Sequence, residues 1–498
     1  MNLATVLTRA ATGVDTARVA VEVHLANGLP AFNLVGLPDA EVREARERVR
    51  AAILTAGLEF PPRRITVNLA PADLPKSGGR FDLPIAVGLL AASGQVPPSV
   101  LADHEFHGEL GLDASVRPVR GVLAAALAAR REGRRVVVPR ANAHEALRVG
   151  AQTVAVASLA ELVAWLRGER EPAPPAPMEE AASPVWPDLA EVKGQAGARR
   201  ALEIAAAGGH SLLLYGPPGT GKSMLAQRLP GLLPPMTEEE AIETAAVWSS
   251  DGRFTPQHWR VRPFRAPHHS ASPAAIVGGV GGGGAVRPGE ISLAHGGVLF
   301  LDELPEFERR VLEALREPLE TGRVAVARVK ERVEYPARFQ LVAAMNPCPC
   351  GYLGDPSGRC RCTPAQIERY HAKLSGPLLD RIDLWVEVPR LLPETLAAAA
   401  PGESSAQVRA RVLAARERQL ARQGKENARL SGSELETHGR AGEPALALLG
   451  RAMARLDLSA RAYHRILRLA RTIADLAGHE TIEPVHVAEA VQLRRLPF

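Results

Sequence analysis

Residues 211–223 read SLLLYGPPGTGKS, and no other stretch restricts the fold of this 498-residue chain as much. Leu212 to Tyr215 is a short apolar run, the pattern of a strand buried on both faces. The run breaks at Gly216, Pro217, Pro218 and Gly219. After Thr220 and Gly221 a helical pattern begins at Lys222. The motif G-x-x-x-x-G-K-S ends at Ser223. Its glycines let the backbone curl so that N–H groups point inward at phosphate oxygens. The helix behind it aims its positive dipole end at the same point. In such a loop the Lys222 ammonium reaches the β- and γ-phosphates and the Ser223 hydroxyl ligates Mg²⁺. The expected fold around it is α/β, and the expected ligands are ATP and Mg²⁺.

A second apolar strand, Val298 to Leu301, ends in Asp302-Glu303. Asp302 is expected to hold Mg²⁺, directly or through water, and Glu303 to polarise the attacking water as general base. An acidic pair after a buried strand can also cap a helix. Its company with the phosphate loop favours the metal reading. A third strand over residues 339–345 ends at Asn346, a polar group placed to orient that water.

Length suggests about three domains. Residues 1–168 alternate strand and helix patterns, with strands over 19–25, 65–69, 135–139 and 153–157 and a helix over 39–56. Residues 169–187 are rich in Pro, Ala and Glu without an apolar period, which reads as a semi-rigid linker. Residues 188–390 hold the nucleotide motifs. Residues 391–498 carry four amphipathic helical stripes, at 407–422, 444–455, 460–476 and 484–493, with 16 basic against 12 acidic side chains. No apolar run reaches 18 residues, so no membrane span is expected. The first 11 residues are too polar and too short for a signal peptide. Together with the four cysteines, all between 348 and 362, this suggests a cytoplasmic protein without a disulfide framework.

Cys348, Cys350, Cys360 and Cys362 form two close pairs across a Gly/Pro/Asp-rich loop, a spacing that can place four thiolates tetrahedrally around Zn²⁺. All four positions would be filled, so the metal would be structural.

Of the 60 basic residues only six are Lys. That bias runs through the whole chain, so only local Arg clusters speak for phosphate contact. One lies in residues 322–335, where apolar and charged residues alternate with period two. The segment reads as a β-hairpin carrying Arg323, Arg328, Lys330 and Arg332, with Glu331 and Glu334 between them. Such basic residues can follow a nucleic-acid backbone. Arg262, Arg265 and the pair His268-His269 form a second candidate group.

Several segments carry a family resemblance. Residues 33–39, 68–84 and 108–113 resemble the N-terminal domain of the ComM/YifB family, which is similar in fold to the Lon protease domain. Lon-type peptidases need a Ser nucleophile and a Lys that activates it. Where that motif carries its Ser, this chain has Arg80, and residues 120–127 are apolar where Lon carries lysines. Ser77 and Lys76 are sequence neighbours that point to opposite faces of an extended segment. The resemblance therefore implies a Lon-like domain without peptidase activity, serving assembly or DNA contact. Residues 188–195 resemble the adenine-side entry of AAA+ domains, with Gln195 at the nucleotide. Residues 264–270 and 289–303 resemble the helix-2 insert of magnesium chelatases. Residues 376–384, GPLLDRIDL, resemble a segment whose arginine, here Arg381, enters a neighbouring subunit's site. Residues 458–461, LSAR, resemble the sensor 2 motif, with Arg461 at the γ-phosphate. Asn346 matches sensor 1. Nearly the whole chain resembles the ComM/YifB family of magnesium-chelatase-like AAA+ ATPases. That implies an ATP-driven hexameric ring acting on branched or single-stranded DNA, described for ComM members as a branch-migration helicase in natural transformation. Two other classes compete: a magnesium-chelatase ATPase subunit, which normally begins near its phosphate loop, and a protein-remodelling ring, which needs an aromatic pore motif not evident here.

Overall fold

The computed structural model describes residues 2–176, 184–280, 286–328, 331–355, 358–392, 394 and 400–494. Two sheets organise them. The first has seven strands in the order Ala31–Val35, Arg64–Ala70, Asp15–Ala26, Leu3–Thr12, His104–Phe106, Arg135–Pro139, Thr153–Val156. Its centre is an antiparallel pair whose register runs from Leu3 opposite His24 to Thr12 opposite Asp15. The helix Ala40–Thr55 starts where Asp39 accepts a bond from the Val42 amide at 2.8 Å. The first strand has no signal in the sequence reading: its Ala and Thr residues give weak alternation, and Ala4 and Val6 are buried only by tertiary packing.

The second sheet is wholly parallel. Its order is Phe264–Arg265, Val298–Leu301, Gln340–Met345, Leu212–Tyr215, Leu384–Glu387. The three middle strands are buried on both faces, which is why they read as continuous apolar runs. Successive side chains point to opposite sides. Leu212, Leu214, Val298 and Phe300 enter one core cluster with the C-terminal helices. Leu213, Tyr215, Leu299 and Leu301 enter another on the far face. The C-terminal helices Ser405–Gln423, Glu443–Leu456, Ala460–Ala477 and Pro484–Gln492 fall within a residue or two of the expected stripes.

The two sheets are joined by a shared apolar seam. Val122, Leu123 and Ala126 of the helix Val122–Arg131 pack with Trp248, Phe254 and Leu293. The Gly121 amide donates to the Ser249 carbonyl at 2.9 Å. Of the expected linker, residues 177–183 lie outside the described residues. Its end is anchored: the Trp186 ring lies 6.3 Å from that of Phe264.

Candidate active site

The strand Leu212–Tyr215 hands the chain to the phosphate loop at Gly216. A Cβ there would stand 2.2 Å from the Val388 carbonyl oxygen, so glycine is required by close approach. Gly219 and Gly221 take left-handed backbone angles, φ 76° and 91°. Lys222 opens the helix and folds its ammonium back over the loop. Its Nζ donates to the carbonyls of Gly216 at 2.7 Å and Pro217 at 2.8 Å, and to Asn346 Oδ1 at 3.1 Å. All three N–H donors are therefore used. Burial lowers the Lys222 pKa to about 8, against a smaller opposing pull from Asp302. Ser223 Oγ donates to Asp302 Oδ2 at 2.5 Å, and the other Asp302 oxygen accepts from the Glu303 amide at 2.9 Å. Thr220 Oγ1 donates to the Pro217 carbonyl, closing the loop on itself. Gln195 Nε2 donates to the Pro389 carbonyl at 2.8 Å, beside the loop and at the end of the last parallel strand.

Glu303 sits at φ 53° with its side chain half exposed. His269 Nδ1 stands 3.2 Å from its Oε2. Sequence reasoning assigned His269 to a basic group for nucleic acid. The structure brings it to the acidic strand end, because residues 266–269 follow the short strand Phe264–Arg265, which pairs with Val298–Leu301.

Arg381 lies at the opposite end of the strand Leu212–Tyr215. Ser211 Oγ donates to the Arg381 carbonyl at 3.0 Å, and the Asp383 and Leu384 amides donate to the Ser211 carbonyl. Four residues of strand, roughly 13 Å, separate this end from Gly216. The Arg381 guanidinium is bonded to Glu320 and to the Pro377 carbonyl. Arg461 lines the same cleft as Arg381, with Glu320, Arg465 and Arg468, in a cavity of about 670 Å³. Both arginines are thus remote from their own chain's phosphate loop. Beneath them, burial alone would raise the Asp383 carboxyl. Arg465, His210 and Arg494 outweigh that and hold it well below the usual carboxylate range.

The cysteine loop stands directly behind the nucleotide residues. Cys348 Sγ is 3.4 Å from Cys350 Sγ and 3.8 Å from Cys360 Sγ, and Cys350 Sγ is 3.7 Å from Cys360 Sγ. With Cys362 they form one group whose sulfurs lie within 4.8 Å of one another. Gly351, in the same loop at φ 82°, packs so closely that a Cβ would meet Pro218 at 2.7 Å.

The hairpin is real. Arg323–Arg328 pairs with Glu331–Pro336, from Arg323 opposite Pro336 to Arg328 opposite Glu331. Val324, Val326, Val333 and Tyr335 are buried, which fixes one face inward. Arg323 and Arg332 are exposed on the other, 3.6 and 3.7 Å from Glu334. Lys330 and the Arg328 side chain lie outside the described residues. Arg262 and Arg265 are not free for phosphate. Arg262 bonds the carbonyls of Pro234 and Gly296 and the Glu240 carboxylate. Arg265 makes a two-pronged pair with Glu290 at 2.5 and 2.8 Å and lies over the Trp248 ring. Both are structural arginines.

A Lys–Ser loop between parallel strands, facing an Asp-Glu strand end and a polar Asn, with a helical region behind it, defines a P-loop ATPase. Three family patterns cover the chain: magnesium chelatase, subunit ChlI, at residues 188–396; subunit ChlI of Mg-chelatase at 21–142; and the ChlI C-terminal region at 402–494. The competence protein ComM of Haemophilus influenzae is 52% identical over 100% of this chain and 98% of its own length. The uncharacterized protein YifB of Escherichia coli K12 is 50% identical over 100% and 98%. The magnesium-chelatase 38 kDa subunit of Rhodobacter capsulatus is 30% identical, over only 33% of this chain and 51% of that one. The chain belongs to the ComM/YifB family of magnesium-chelatase-like proteins. Among the described residues no helix is long and apolar enough to cross a membrane.

Proposed function

We propose that this protein is an ATP-driven ring motor that moves on DNA, a cytoplasmic branch-migration helicase as the family resemblance implies, in keeping with a relative named competence protein ComM. The observation that carries the ring is the division of the site. Lys222, Ser223, Asp302 and Glu303 gather at one end of the strand Leu212–Tyr215, while Arg381 and Arg461 gather at the other. One chain cannot bring both to one nucleotide, but a neighbour can. In each such interface Lys222 would leave its own carbonyls for the phosphates. Ser223 and Asp302, hard oxygen donors already in contact, suit Mg²⁺, which neutralises phosphate charge when bound. Glu303 would take the proton of the attacking water, and His269 would hold Glu303 aside until the nucleotide arrives. Asn346 would orient the water, and Gln195 would border the base. Arg381 and Arg461 of the adjacent chain would stabilise charge leaving the γ-phosphate.

We assign residues 1–168 to a Lon-like domain without a protease dyad, 169–187 to a linker, 188–390 to a core of the helix-2-insert clade, and 391–498 to the lid. The four thiols suit a structural Zn²⁺: sulfurs at about 2.3 Å from a tetrahedral zinc stand roughly 3.8 Å apart, close to the spacings within the cluster. The DNA reading rests on the hairpin, whose exposed face carries Arg323 and Arg332, and on Arg328 and Lys330 of the same basic segment of the sequence. Contacts with phosphate carry no sequence information, so binding should ignore sequence and weaken steeply with salt. DNA affinity across a salt series tests this. Arg328→Ala/Lys330→Ala should lower the slope by roughly two for duplex DNA, with basal ATPase intact. An unchanged slope and unchanged stimulation by DNA would refute the hairpin.

A further inference from the structure

Where the Lon-like segment has lost its nucleophile, the structure has a cavity of about 440 Å³ at the seam between the two sheets. Its floor is Arg80, whose residue is only 5% exposed. Arg80 Nη2 donates to the Arg120 carbonyl at 2.6 Å. Nη1 is buried and has no partner. The carboxylate that acts on Arg80 most is Glu145, but its oxygens are already taken by Asn142, Ser249 and the Leu123 amide. Burial without a bonded counter-ion lowers the Arg80 pKa to about 10. A buried guanidinium left this way is costly, and a bound oxyanion would relieve the cost.

The walls extend the argument. Arg120 from the first domain and Arg287 from the nucleotide core line the same cavity, so three cations converge on it. Gly78 and Gly79, which precede Arg80, line the cavity without a side chain of their own. Two carboxylates, Glu41 and Glu109, also line it, on the Gly78–Gly79 side: Glu41 Oε2 lies 3.9 Å and Glu109 Oε2 2.5 Å from where Cβ atoms of those glycines would be. A bare phosphate would satisfy the arginines and leave these acceptors facing it. A ligand with an oxyanion at one end and hydroxyl groups at the other satisfies both sets.

We propose that this cavity binds a phosphorylated sugar, with the phosphate on Arg80, Arg120 and Arg287 and the sugar hydroxyls donating to Glu41 and Glu109. A volume in the few-hundred Å³ range is ordinary for such a ligand. Because Val333 and Tyr335 of the basic hairpin also line the cavity, its occupant touches both domains and the hairpin base.

The test is calorimetric titration of the full-length protein with saturating ADP and Mg²⁺, which fill the phosphate loop. The probes are ribose 5-phosphate, inorganic phosphate and ribose. Ribose 5-phosphate should bind at one site per chain, several-fold tighter than phosphate, and ribose should not bind. Arg80→Gln should weaken ribose 5-phosphate about tenfold or more, as loss of a charged hydrogen bond does, and Arg80→Lys should recover part of it. Glu109→Gln should weaken the sugar phosphate and leave phosphate unchanged. If Arg80→Gln fails to fold, Arg120→Ala, whose side chain is exposed, should still weaken binding about threefold. No saturable binding of ribose 5-phosphate overturns the proposal. So does equal affinity for phosphate and ribose 5-phosphate, or binding untouched by these substitutions.

Discussion

The two ends of the strand Leu212–Tyr215 solve opposite problems. At the Gly216 end, the backbone curls over a buried lysine whose ammonium is held by the Gly216 and Pro217 carbonyls. At the Ser211 end, the backbone is pinned by Asp383, itself clamped by Arg465, and Arg381 and Arg461 line the cleft beside that fixed base. On the proposed reading, one end receives charge and the other delivers it: the strand separates the two groups by its own length, and a second copy of the chain would reunite them.

The largest effects should appear at the receiving end. Lys222→Ala should abolish nucleotide binding. Glu303→Gln should bind ATP normally and hydrolyse it roughly 10²–10⁴-fold more slowly, the usual worth of a general base. Nucleotide affinity and phosphate release measured side by side separate the two, and equal loss of affinity in both would break the assignment. The pH dependence is next in size. With its pKa lowered to about 8 in the free protein, Lys222 carries its proton below that pH and must take one up above it when phosphates bind. Affinity should be constant below about pH 8 and fall up to tenfold per pH unit above it. A flat profile to pH 9.5 in wild type would show that the ammonium does not meet the phosphates.

Cys348→Ser/Cys350→Ser should release one zinc per chain, measured by elemental analysis on protein purified without a metal-affinity tag. It should also lower hydrolysis several-fold, because Gly351 packs against Pro218 and Asn346 lies two residues from Cys348. A metal-free wild type with full activity would remove this link. The smallest effect is expected at Glu320. Glu320→Ala frees the Arg381 guanidinium and should change ATPase no more than about twofold in either direction, since the Glu320 carboxylate is itself exposed and screened by solvent. A collapse of activity would mean that Glu320 positions Arg381 rather than storing it.

The receiving end was legible in the sequence because its parts are local. Glycines at 216, 219 and 221 announce the loop, and Asp302-Glu303 follows a run of four apolar residues. The delivering end was legible only by resemblance, since Arg381 owes its place to Ser211, 170 residues earlier. Physics that is wholly tertiary stayed hidden. Nothing in the string ties His269 to Glu303, or turns Arg262 and Arg265 inward, because each partner comes from another element. The helices of the last hundred residues were read closely, their apolar stripes being strong. The first strand, Leu3–Thr12, was not, because alanine and threonine alternate too weakly.

The central claim is that one active site is shared by two chains, and subunit mixing measures it most directly. Lys222→Ala chains keep Arg381 but lack the phosphate cradle, and Arg381→Ala chains have the reverse. Each alone should be inactive. Mixed in one ring, they create interfaces where an intact Lys222 faces an intact Arg381, and ATPase should rise above either parent at intermediate ratios. If every mixture stays at the level of the parents while the rings still assemble, Arg381 serves its own chain and the divided site is wrong.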